Sequence, residues 1–78
     1  MANRTIKEIT KEIRQDWRNI SPAAAPYLEA MDTLETMDQE YGAERADGIV
    51  LYFLSNAQGW RGETAKRIKK ELHQMINI

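Results

Sequence analysis

Seventy-eight residues with 42% apolar and 29% charged side chains describe a single small folded domain, too rich in large apolar groups to stay disordered. The absence of cysteine excludes a disulfide framework and a thiolate metal site, and favours a reducing compartment. The net charge of −1 conceals a split: residues 1–21 sum to +2, residues 22–59 to −6, and residues 60–78 to +3. An acidic middle between basic ends predicts charge matching within the chain first and an external partner second.

The longest apolar run, residues 49–54, is far short of the ~20 residues that span a bilayer. The opening Met1-Ala2-Asn3-Arg4-Thr5-Ile6-Lys7 lacks the apolar stretch of a signal peptide. The expected address is cytoplasmic, with no membrane partner.

Thr5 and Glu8 have the spacing of a capping box, and Ile6, Ile9, Ile13, Trp17 and Ile20 follow at helical intervals. They predict a first helix over residues 5–20. Ser21-Pro22 ends it and can open a second helix over 22–41, although Pro26 allows a start as late as Ala25. Tyr27, Ala30, Met31, Leu34, Met37 and Tyr41 would share its buried face, with Gly42 as the stop.

A third helix is predicted over 44–58, with Ala46, Ile49, Val50, Phe53, Leu54 and Ala57 inward and Gly59 closing it. Ile49 to Leu54 could read as a buried strand, but no second strand candidate exists to pair with it. A fourth helix over 62–77 turns Ala65, Ile68, Leu72, Met75 and Ile76 inward. Short connections between these segments predict an all-α fold, a compact bundle of three to four antiparallel helices.

Four features bear on function. On the first helix, Lys7, Lys11, Arg14 and Arg18 form one stripe and Glu8, Glu12 and Asp16 another. Such segregation calls for an oppositely charged neighbour, and Glu29, Asp32 and Glu35 on the second helix are the candidates inside the domain. The same acidic residues could instead face a partner, as mimics of nucleic-acid phosphates.

Leu51 and Tyr52 lie on the outer flank of the third helix, where an apolar surface is either buried or covered by a homodimer or another protein. Trp60-Arg61 between Gly59 and Gly62 has the composition of an interaction hot spot, or else Trp60 plugs the end of the core, which is the preferred reading. Lys66, Arg67, Lys69 and Lys70 give the fourth helix a basic face, which could be solvated or could meet nucleic acid.

Little points to catalysis. Asp38, at the edge of the buried face, is expected to pair with a basic residue. The lone His73 reads as a surface residue without partners for zinc or a nucleophile. No phosphate loop or EF-hand spacing occurs, so no cofactor, metal or enzyme activity is expected.

The segment Tyr52-Phe53-Leu54-Ser55-Asn56-Ala57-Gln58-Gly59-Trp60-Arg61-Gly62-Glu63-Thr64-Ala65-Lys66-Arg67-Ile68-Lys69 resembles uncharacterised small proteins of phages, plasmids and integrated mobile elements of gut-associated bacteria. The segments Ile6-Lys7-Glu8-Ile9 to Trp17 and Pro26-Tyr27-Leu28-Glu29-Ala30-Met31 fit the same pattern. The resemblance implies a setting without a mechanism.

The expectation is a small non-enzymatic interaction protein that binds or inhibits a host protein, of anti-restriction or anti-CRISPR type. Its contacts would be Leu51, Tyr52, Trp60, Arg61, Glu29, Asp32 and Glu35. The alternative is a nucleic-acid-binding accessory or transcriptional regulator using Lys66, Arg67, Lys69 and Lys70 together with the basic stripe of the first helix.

Overall fold

The computed structural model describes residues 4–76. In chain order the elements are α1 (Ile6–Asp16), α2 (Ala25–Met31), β1 (Glu40–Tyr41), β2 (Glu44–Arg45), α3 (Ala46–Ser55) and α4 (Glu63–Ile76). The fold is mostly helical, in rough agreement with the all-α expectation, and adds a small two-stranded sheet that the expectation lacked. The residues 1–3 of the expected leader-free start and Asn77 at the expected end of the fourth helix lie outside the described residues.

Both halves of the capping box close at the start of α1. The Thr5 N–H donates to Glu8 Oε1 at 2.9 Å, and the Glu8 N–H donates to Thr5 Oγ1 at 3.1 Å. Ile6, Ile9 and Ile13 are fully buried, and buried Thr10 satisfies its hydroxyl by donating to the Ile6 carbonyl at 2.9 Å. The helix stops at Asp16 rather than Ile20. Trp17 leaves the helical region at ψ 87°, while its N–H still donates to the Ile13 carbonyl at 2.7 Å. Its indole then packs against Phe53 and Trp60, and this aromatic burial replaces a further helical turn.

α2 begins at Ala25, the later of the two starts the prolines allow. It was expected to reach Tyr41 and ends ten residues sooner. The Thr33 hydroxyl donates to the Ala30 carbonyl at 2.9 Å, and Leu34 drops into the core. The carbonyls of Leu34 and Glu35 then accept from the N–H groups of Lys7 (2.8 Å) and Ile6 (3.0 Å). Those of Met37 and Gln39 accept from Asp47 (3.0 Å) and Ala46 (2.8 Å).

Residues 32–39 therefore supply partners to the starts of two helices. A helix carried through to Tyr41 would bond these carbonyls internally and leave the first N–H groups of α1 and α3 without partners. This tertiary need ends α2.

Beyond that segment β1 and β2 pair antiparallel, Glu40 opposite Arg45 and Tyr41 opposite Glu44. Gly42, expected as a helix stop, is the first of two hairpin-loop residues with φ +62°, the position where a type II′ turn calls for glycine. α3 starts directly after β2 and buries Ala46, Ile49, Val50 and Phe53. It is shorter than its expected span at both ends, and the Asn56 side-chain amide closes it by donating to the Tyr52 carbonyl at 2.8 Å.

α4 buries Ala65, Ile68 and Leu72. α1 packs on α2 and α4, and α3 on α2, β2 and α4, around a single core. Among the described residues no helix is long and apolar enough to cross a membrane.

Candidate functional site

Two of the elements surrounding the core, α2 and α3, join the hairpin to build a groove of about 540 Å³. It is lined by Pro26, Tyr27, Ala30, Tyr41, Glu44, Ile49 and Tyr52. Each tyrosine arrives on a different element. Pro26 and Tyr27 occupy the first turn of α2, and Tyr52 projects from the outer side of α3, one residue from buried Phe53. The hairpin register sets Tyr41 directly across from Glu44, so both side chains leave one face of the ribbon and enter the same groove.

The Tyr27 and Tyr52 rings stack with centroids 5.5 Å apart and planes 26° from parallel. Tyr27 is half-buried, whereas Tyr52 is 52% and Tyr41 45% exposed. Leu51, the next residue along α3, is 44% exposed. These three are the exposed large apolar side chains among the described residues. Sequence reasoning singled out Leu51 and Tyr52 but buried Tyr27 and Tyr41 on an extended second helix. The signal it passed over is Tyr41-Gly42-Ala43-Glu44, a glycine in a two-residue loop between short flanks.

Trp60 is placed elsewhere. It is 2% exposed and lies parallel to Trp17, with centroids 5.8 Å apart and planes within 10°. Its Nε1–H donates to Asp16 Oδ2 at 2.8 Å. The ring plugs the core, the reading the sequence favours, and with Arg61, Glu63, Ala65, Lys66 and Lys69 it lines a second groove of about 490 Å³, where Arg61 is exposed. Lys69 holds the same corner by donating to the carbonyls of Ala57 (2.8 Å) and Trp60 (2.7 Å), with its ammonium 5.8 Å from the Trp60 centroid. Burial pushes the Lys69 amine below the ordinary lysine value, and the charge of Arg61 adds to that effect.

The acidic stripe of α1 is bonded within the molecule through Glu8, Glu12 and Asp16, whereas in the basic stripe Arg14 alone makes an ion pair among the described residues and Lys7 and Lys11 are exposed. Arg4 donates to Glu71 (2.6 Å) and Glu12 (2.6 Å), and Arg67 of α4 bonds the other oxygen of Glu12. The hydrogen bonds from Arg67 and Arg4 hold the Glu12 carboxyl below the usual carboxylate range. The carboxylates of Glu71 and Glu12 in turn raise the Arg4 guanidinium.

Arg14 pairs with Asp32 at 2.5 Å. Glu29, Asp32 and Glu35 do not form one acidic helix face, because Asp32 caps the end of α2 and Glu35 lies beyond it. Asp38, expected in an ion pair, instead accepts from the Thr36 hydroxyl at 2.7 Å. On α4, Arg67 and Lys69 hold internal bonds, which leaves Lys66 and Lys70 as the exposed remainder of the basic face. His73 is exposed. Among the described residues no cluster of three or more His, Cys, Asp or Glu could hold a metal ion.

Searches of protein-family models, curated proteins and solved structures find no match to this chain.

Proposed function

We propose that the protein is a small non-enzymatic binding module whose contact face is the tyrosine groove, and that its ligand is another protein. One observation carries this reading: three tyrosines from α2, β1 and α3 converge on one open groove, two of them about half exposed. Tyrosine offers a large, rigid, amphipathic contact with little side-chain entropy to lose, which is why it is enriched at binding hot spots. Leu51 lies outside the groove's lining and adds exposed apolar surface to the same helix. Given the resemblance of Tyr52 to Lys69 to mobile-element proteins, the partner proposed is a host protein, with restriction or CRISPR defence as candidate targets.

A photo-crosslinking amino acid at position 51, with position 73 on α4 as control, tests the face directly. The expected result is a discrete adduct from position 51, none from position 73, and loss of the adduct on adding Tyr52→Ala. The adducted protein is then purified and its affinity for the unlabelled chain measured. Equal adducts at both positions, or an adduct indifferent to Tyr52→Ala, would overturn the assignment.

A further inference from the structure

The groove is aromatic on three sides and carries one carboxylate. Glu44 stands across the hairpin from Tyr41, and among the described residues it makes no ion pair. A Cβ placed on Gly48 would lie 3.8 Å from Glu44 Oε1, so the carboxylate hangs over the first turn of α3 close to groove-lining Ile49. The stretch of sequence that holds it is acidic. Between residues 22 and 59 Arg45 is the single basic residue against seven carboxylates, and it is held by Asp47 at 3.2 Å.

An aromatic wall next to an unpaired carboxylate, in an acidic stretch of the chain, selects for positive charge. Tyrosine faces attract cations through the ring quadrupole, and a carboxylate adds an ion pair at the same place. A guanidinium suits both at once, since it is planar and weakly hydrated enough to stack and carries a donor fork for the carboxylate. A neutral aliphatic side chain would leave the carboxylate without a partner, and an acidic one would meet like charge.

We infer that the groove receives an arginine side chain of the protein partner, stacked on the tyrosine rings and paired with Glu44. This inference rests on the groove being the protein-binding face. It adds the chemistry of what enters: an arginine-bearing segment whose surroundings are basic enough to match the acidic middle of this chain.

A random peptide library displayed on phage, selected in parallel on the wild-type protein, Tyr52→Ala and Glu44→Gln, tests it. The expected outcome is that peptides binding the wild type but not Tyr52→Ala are enriched in arginine. A synthetic version of the best one should bind Glu44→Gln about fivefold more weakly, and replacing its arginine with the neutral isostere citrulline should weaken it similarly. Tyr52-dependent binders with no basic enrichment, or binding unchanged by citrulline, would overturn the arginine assignment while leaving the groove as the docking face. Selection that yields no Tyr52-dependent peptide would overturn both. Circular dichroism of the two variants, expected to match wild type because both side chains are exposed, keeps misfolding from imitating a loss of binding.

Discussion

The molecule carries two aromatic clusters on opposite terms with water. Trp17, Phe53 and Trp60 form one, closed within the core, with the indole N–H of Trp60 satisfied by Asp16. Tyr27, Tyr41 and Tyr52 form the other, around an open groove with a carboxylate on its wall. α3 serves both: Phe53 points into the first cluster and Tyr52, one residue earlier and about 100° around the helix, into the second. The same aromatic chemistry fills the core in one place and stays open to solvent in the other. Burial and satisfied polar atoms make the difference.

Breaking the interior cluster should have the largest effect. Trp60→Ala removes a buried indole and is expected to cost about 3–5 kcal/mol, comparable with the whole stability of so small a domain. Urea denaturation followed by circular dichroism should show a chain largely unfolded without denaturant. A variant that stays cooperative within about 1 kcal/mol of wild type would mean that Trp60 is not a core plug.

Lys69→Met comes next, because it leaves the Ala57 and Trp60 carbonyls to find other donors while keeping the aliphatic bulk. About 1–2 kcal/mol should be lost in the same assay.

The surface cluster depends on the hairpin that presents Tyr41 and Glu44. At Gly42 nothing lies within 4 Å of an added Cβ, so the penalty of Gly42→Ala is a backbone one, about 1 kcal/mol from φ +62°. It should disturb groove resonances in an NMR spectrum more than those of the Trp17–Trp60 corner. A uniform disturbance would show that the two clusters are not separable.

Glu12→Gln has the smallest expected effect, about 0.5 kcal/mol near neutral pH, since its pairs with Arg4 and Arg67 are partly solvated. Glu12 is held below its ordinary value by those pairs, so its contribution is complete above the unfolded carboxylate value of about 4.3. It disappears as pH falls through the lower folded value. The gap between wild type and variant should accordingly close in acid, as unfolding curves taken from neutral to low pH would reveal.

Periodicity located α1 and α4, while the continuous apolar run of α3 also required the absence of a second strand to pair with it. The capping box at Thr5 and Glu8 was readable residue by residue, whereas the prolines left two starts for α2 open, and the later one, Ala25, is the one adopted. The end of α2 was not readable. Leu34, Met37 and Tyr41 keep helical spacing, yet the chain turns at Asp32 because α1 and α3 need the carbonyls of residues 34–39, a demand arising from distant sequence. That turn also decided the site. It moved Tyr41 from a supposed core face to the groove and broke the supposed acidic stripe of Glu29, Asp32 and Glu35.

Leu51 and Tyr52 were visible as surplus apolar groups on the outside of a helix. Their partners Tyr27 and Tyr41 could be found only once the hairpin was known.

The most direct test of this division measures two quantities on Tyr52→Ala together: affinity for the partner captured at position 51, and the free energy of unfolding. A docking face at the tyrosine cluster should lose at least about tenfold in affinity with stability lowered by no more than about 1 kcal/mol, the scale of one lost ring stack. Unchanged affinity, or a loss explained entirely by an unfolded fraction, would place the tyrosine cluster with the core as a purely structural feature.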